Sequence, residues 1–96
     1  MKRLPLTDEF KAIARRVIWF EEPEQALHDP VRFLAYAMTY GRHEDTKRLR
    51  EYYSDEELRE SLDHAPPGIF DERSWAYWNN ILGRYPAPSA PQRRFG

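Results

Sequence analysis

Apolar residues recur every three or four positions along most of this chain, which is the spacing of amphipathic helices. The first such face consists of four residues: Phe10, Ile13, Val17 and Phe20. Their spacing predicts a helix over residues 8–20, with Lys11 and Arg15 off the apolar face. Pro23 follows two glutamates and is expected to begin a short helical turn over residues 24–28.

The segment after Asp29-Pro30 is apolar nearly all round. Asp29 suits the N-cap of a helix and Pro30 suits its first position. Only Arg32 is charged between this start and Tyr40. A helix of this composition is usually buried, so we predict that it forms the centre of the core. Gly41 is expected to end it in the left-handed conformation.

Three further helices, which we number helix four, helix five and helix six, are predicted to begin near residues 44, 54 and 72. Ser54 and Glu57 have the spacing of a capping box, and Asp71 is an N-cap that follows the rigid Pro66-Pro67-Gly68 corner. The predicted inward faces carry these apolar residues: Leu49, Leu58, Leu62, Trp75, Trp78 and Leu82. Gly83 is expected to stop the last helix.

The helical periodicity stops after Gly83, and residues 84–96 contain three prolines. This composition predicts an extended segment. The length of 96 residues leaves room for one core. We therefore predict an all-α fold: a compact bundle of about five short helices in a single domain over residues 1–83, with an extended or disordered Pro-rich tail over residues 84–96.

Charge and composition exclude several function classes. The net charge is −1, there is no cysteine, and no long apolar run suggests a signal peptide or a membrane span. His28, His43 and His64 lack chelating spacing, and the four glycines stand singly. We expect a cytoplasmic protein that is not an enzyme and has no catalytic, metal-binding or cofactor-binding residues.

Several exposed features suggest binding to a protein partner. Acidic residues on helix five could imitate a phosphate backbone or simply form a solvated face. One tyrosine lies off the Trp stripe of helix six, and the end of the tail combines arginines with an aromatic residue. We predict seven partner-binding residues: Asp55, Glu56, Glu60, Tyr77, Arg93, Arg94 and Phe95.

Nucleic-acid binding is the second hypothesis. Helices four and five could form a helix-turn-helix, but the acidic second helix would be repelled by phosphates. The basic residues of and beside helix four are the better candidates: Arg42, Lys47, Arg48 and Arg50. A third hypothesis is a structural or homo-oligomeric helical module.

The order of helices and of aromatic residues carries a family resemblance. The segments that carry it are Phe33–Gly41, Arg48–Tyr53 and Ser74–Asn79, with Leu58 and Leu62 between them. Together they resemble a group of small bacterial helical proteins that are often encoded beside a nucleotidyltransferase-like toxin of the AbiEii type. The resemblance covers about residues 19–83 and implies an antitoxin that binds and neutralises such a toxin. It supplies no functional residues.

Overall fold

Six helices and no strand make up the regular secondary structure of residues 1–91, the part of the chain that the computed structural model describes. The helices are α1 Asp8–Val17, α2 Pro23–Ala26, α3 Pro30–Tyr40, α4 His43–Tyr52, α5 Asp55–Asp63 and α6 Glu72–Ile81. The predicted all-α class is confirmed. Arg93, Arg94 and Phe95, predicted to bind a partner, lie outside the described residues.

Helix α3 is the centre of the fold, as its composition predicts. The other long helices, α1, α4, α5 and α6, all pack against it. Phe33, Leu34 and Ala37 of α3 are completely buried. Burial of these apolar side chains is the main force that brings the surrounding helices together.

Local hydrogen bonds fix the helix starts where the sequence predicts them. The carboxylate of Asp29 accepts from the backbone N–H of Arg32. Ser54 and Glu57 form the reciprocal capping box. Asp71 accepts from the N–H of Ser74, and this backbone hydrogen bond lowers the pKa of Asp71. These caps satisfy N–H groups that have no partner within their helices.

The predicted extension of α1 to Phe20 is wrong. The helix ends at Val17, and Ile18 leaves it with φ −128° and ψ 65°. This turn sends the side chain of Ile18 into the core, while Phe20 is exposed. The helical spacing that placed Phe20 on the buried face therefore does not apply beyond Val17.

Gly41 ends α3, but for a different reason from the predicted one. Its φ is −72°, which any residue adopts, so the left-handed conformation is not used here. A Cβ at this position would clash with the carbonyl oxygen of Ala37. Close approach of the backbone therefore requires glycine at residue 41, whereas Gly83 after α6 does take a positive φ of 87°.

Residues 84–91, which we call the strap, form no helix, as predicted, and pack against the core through Ala87 and Ala90. The Arg84 guanidinium forms an ion pair with Asp63 and donates to the carbonyl of Arg59 at 2.8 Å. The indole N–H of Trp75 donates to the carbonyl of Pro88 at 2.7 Å. These contacts join the start of the strap to α5 and its middle to α6.

No helix within residues 1–91 is long and apolar enough to cross a membrane.

Candidate interaction surfaces

A contiguous group of aromatic side chains is exposed where α1 and α3 end. We call Trp19, Phe20, Tyr36 and Tyr40 the aromatic surface. Trp19 is 79%, Phe20 52% and Tyr40 63% exposed, whereas Tyr36 is half-buried against the core. Neighbouring ring centroids are 5.6 Å apart for Trp19–Phe20, 5.9 Å for Phe20–Tyr36 and 6.1 Å for Tyr36–Tyr40. Such a patch of large apolar rings is typical of an interaction site.

Two local features create the aromatic surface. The turn at Ile18 releases Trp19 and Phe20 from the buried face of α1. Tyr36 and Tyr40 are four residues apart and therefore share one face of α3. The guanidinium of Arg32 lies 5.2 Å from the centroid of the Tyr36 ring, and its Nη1 is 2.6 Å from Glu21 Oε1.

A groove of about 440 Å³ runs along the aromatic surface and is also lined by Arg16. Arg16 donates from Nε to Asp45 Oδ2 at 3.2 Å and from Nη2 to Oδ1, so Nη1 takes part in neither bond. Asp45 also accepts from the backbone N–H of Arg42 at 3.1 Å. A fixed guanidinium therefore lies beside the rings.

The environment of Asp45 explains why Arg16 is held in place. Asp45 is only 2% exposed. Burial by itself would raise the pKa of this carboxyl, but the hydrogen bonds from Arg16 and Arg42 outweigh it and hold the pKa below its ordinary value. The carboxylate is thus charged at neutral pH and paired with Arg16.

A second concave surface lies between α4 and α6. This α4–α6 cleft, of about 280 Å³, includes His43, Lys47, Arg50 and Tyr77, with Trp78 as part of its wall. It brings together two residues predicted to bind nucleic acid, Lys47 and Arg50, and one predicted to bind a protein partner, Tyr77. The sequence did not indicate that these three residues are neighbours.

The other two basic residues predicted to bind nucleic acid lie elsewhere. The Nε atom of Arg48 is 2.6 Å from Glu9 Oε1, and its guanidinium lies 5.1 Å from the centre of the Phe10 ring. Arg48 therefore joins α4 to α1. Arg42 is exposed at the N-cap of α4.

Asp55, Glu56 and Glu60 are exposed on α5, as the acidic-face hypothesis requires. Asp55 lies 3.3 Å from Arg50 Nη2, so this end of the acidic face adjoins the cleft. Glu57 is used by the capping box, where the backbone N–H of Ser54 lowers its pKa. Asp63 is bound by Arg84, whose hydrogen bonds lower the pKa of that carboxyl.

The aromatic surface and the α4–α6 cleft each have one residue beside the corner between α3 and α4. Tyr40 belongs to the first and His43 to the second. The backbone between them can span at most about 11 Å, because each residue adds no more than about 3.6 Å. Gly41 and Arg42 separate them in the sequence.

Sequence reasoning missed the residues of the aromatic surface. One signal was present: Trp19 and Phe20 are consecutive and directly precede Glu21-Glu22-Pro23. A helix that ends there cannot bury two adjacent large rings on the same face.

No family model, curated protein or solved structure matches this chain. The resemblance to partners of AbiEii-type toxins therefore stays a prediction from the sequence.

Proposed function

We propose that this protein is a non-enzymatic, antitoxin-like protein that binds and neutralises a partner toxin of the nucleotidyltransferase type, with the aromatic surface as its docking face. The observation that carries the proposal is the exposure of Trp19, Phe20 and Tyr40 in one contiguous group. Large rings exposed together lose much apolar surface to water when a protein covers them.

The composition of this surface supports protein binding. Trp, Tyr and Arg are the residue types that contribute most to binding energy in protein interfaces. Here Trp19 and Tyr40 occur with Arg16 along one groove. The occupant that fits is a toxin segment with apolar side chains and a carboxylate that faces Arg16.

Pre-organisation also supports the proposal. The ring contacts and the Arg32–Glu21 ion pair limit the freedom of Tyr36 and Phe20 before any partner arrives. Arg16 is likewise fixed by Asp45. Less side-chain entropy is then lost on binding.

The choice of a nucleotidyltransferase toxin rests on the resemblance over residues 19–83. All four residues of the aromatic surface lie within that range.

The proposal requires that a nucleotidyltransferase is encoded beside this chain, and co-expression of the two proteins tests it. The wild-type protein should suppress the toxicity of that neighbour and co-purify with it. Phe20→Ser and Tyr40→Ser should weaken both effects. Leu6→Ser is the matched control, since Leu6 is 57% exposed, similar to Phe20, but lies outside the aromatic surface.

Each part of the proposal has its own negative result. If the wild-type protein leaves the neighbour toxic, the antitoxin function is wrong. If Phe20→Ser and Tyr40→Ser neutralise as well as Leu6→Ser does, the aromatic surface is not the docking face. A wild-type dimer that these two variants convert to monomer would identify a second copy as the occupant and contradict the proposal.

A further inference from the structure

We propose that the α4–α6 cleft binds a mononucleotide, with the phosphate against Lys47 and Arg50 and the base against the ring of Tyr77. This inference does not depend on the antitoxin function. It rests on the combination of cations and an aromatic wall in one small concavity.

The cations are placed to share one anion. Lys47 and Arg50 are three residues apart on α4, so their side chains project on the same face. Lys47 has no carboxylate within 4 Å among residues 1–91, and Arg50 has one, from Asp55 at 3.3 Å. His43, one turn before Lys47, lines the same cleft. A phosphate here gains charge-assisted hydrogen bonds from Lys47 and Arg50.

The aromatic wall is exposed and held in place. Tyr77 is 55% exposed, and its ring stands at 87° to the ring of Trp78 with centroids 5.4 Å apart. Trp78 is in turn fixed by its indole N–H, which donates to the carbonyl of Met38 at 2.9 Å. A planar base can stack on the ring of Tyr77, and the edge-on contact with Trp78 limits the freedom of that ring before the base binds.

The size and charge of the cleft favour one nucleotide over a duplex. Its volume of about 280 Å³ is near the lower end of the usual range for small-ligand sites, about 300–1,000 Å³. A duplex that reached Lys47 and Arg50 would also meet the acidic face of α5, which begins at Asp55 beside the cleft.

Glu51 also lines the cleft and opposes an anion there. Its carboxylate is 3.9 Å from Nη1 of Arg48, which offsets part of its charge. Glu51→Gln should therefore tighten nucleotide binding, whereas Lys47→Gln should weaken it.

Titration of the ¹⁵N-labelled protein with AMP at low salt, followed by NMR, tests the inference. Cross-peaks of residues 43–50 and 77–81 should shift and saturate with a Kd below about 1 mM, and added salt should weaken binding. Loss of one charge-assisted hydrogen bond in Lys47→Gln should raise the Kd about tenfold. Tyr77→Leu should also raise it.

Arg15→Gln is the matched control, because it removes one exposed positive charge on α1, outside the cleft. Its Kd should equal that of the wild-type protein. The melting temperature of each variant shows whether the fold is kept, and exposed substitutions are expected to change it little.

Three results would overturn the inference. They are the absence of a saturable shift at AMP concentrations up to about 5 mM, a Kd that Lys47→Gln leaves unchanged, and equal shifts with inorganic phosphate alone. A 5′-phosphorylated single-stranded oligonucleotide distinguishes the source of the nucleotide. If the oligonucleotide binds at least as tightly as AMP, the result supports the end of a nucleic-acid strand as the ligand. If AMP binds more tightly, the result supports a free nucleotide as the ligand.

Discussion

Replacing Arg16 by Leu should destabilise the protein more than replacing Asp45 by Asn, although both changes remove the same ion pair. The pair joins α1 to α4, and its two members differ in their contact with water. The side chain of Arg16 is 38% exposed, whereas Asp45 is 2% exposed. Arg16→Leu leaves the buried carboxylate of Asp45 without its ion-pair partner, whereas Asp45→Asn leaves the partly exposed guanidinium of Arg16 without one.

The loss in the free energy of unfolding depends on which charged group is left without its partner. Arg16→Leu leaves a buried carboxylate whose remaining hydrogen bond comes from the backbone N–H of Arg42. Breaking a buried pair in this way costs about 3–5 kcal/mol, and partial exposure of Arg16 places the loss at about 3 kcal/mol. Asp45→Asn leaves a guanidinium that water can reach, so its cost should be about 1–2 kcal/mol.

The difference in stability between the wild-type protein and Arg16→Leu should depend on pH. In the wild-type protein the pKa of Asp45 is lowered from 3.8, so the stabilisation from this carboxylate is present above pH 3.8 and is lost as the pH falls through the lower folded value. In Arg16→Leu the pKa of Asp45 rises, because burial is opposed by fewer hydrogen bonds. The stability gap between wild type and Arg16→Leu should therefore be large at pH 7 and smaller near pH 3.

Thermal and urea unfolding followed by circular dichroism measure these differences. For a domain of this size each kcal/mol lowers Tm by about 4–8 °C. Equal losses for the two variants at pH 7, or a gap for Arg16→Leu that stays constant down to pH 3, would contradict the account of a buried carboxylate held by a half-exposed arginine.

Two further predictions concern the core and the strap. Trp78→Ala should lower the free energy of unfolding by about 3–5 kcal/mol, and Trp78→Phe by about 1–3 kcal/mol, because in the latter the carbonyl of Met38 loses its indole donor. Urea unfolding measures both losses, and unchanged midpoints would contradict a core role for Trp78. A chain that ends after Gly83 should melt lower than one that ends after Pro91, since only the first loses the Trp75–Pro88 hydrogen bond. If the chain ending at Pro91 neutralises the toxin fully, Arg93, Arg94 and Phe95 are not needed for binding.

Local sequence signals predicted the helix starts well. The side chains of Asp29, Ser54 and Asp71 each accept a hydrogen bond from the backbone N–H three residues later. A short stretch of sequence is therefore enough to predict each of these helix starts. The end of α1 was harder, because the conformation of Ile18 depends on the core that its side chain enters. The reason for Gly41 was missed because it depends on contact with the backbone one turn earlier.

The candidate surfaces depend on contacts that a sequence pattern does not contain. The Nε atom of Arg48, for example, donates to the carboxylate of Glu9, which lies 39 positions away in the sequence. Likewise Tyr77 and Lys47 line the same cleft only because α4 and α6 form its opposite walls. Tertiary packing decides which of several exposed charges stay available to a ligand.

The central position of α3 has a consequence for how the protein unfolds. Its neighbours α4, α5 and α6 make their main helix–helix contacts with α3 and few with each other. If α3 leaves the core, each of them loses most of its apolar partner surface at the same moment. Partly folded forms then keep little of the burial energy, so we expect unfolding to be cooperative and a cavity created anywhere along α3 to weaken the whole molecule rather than one corner of it.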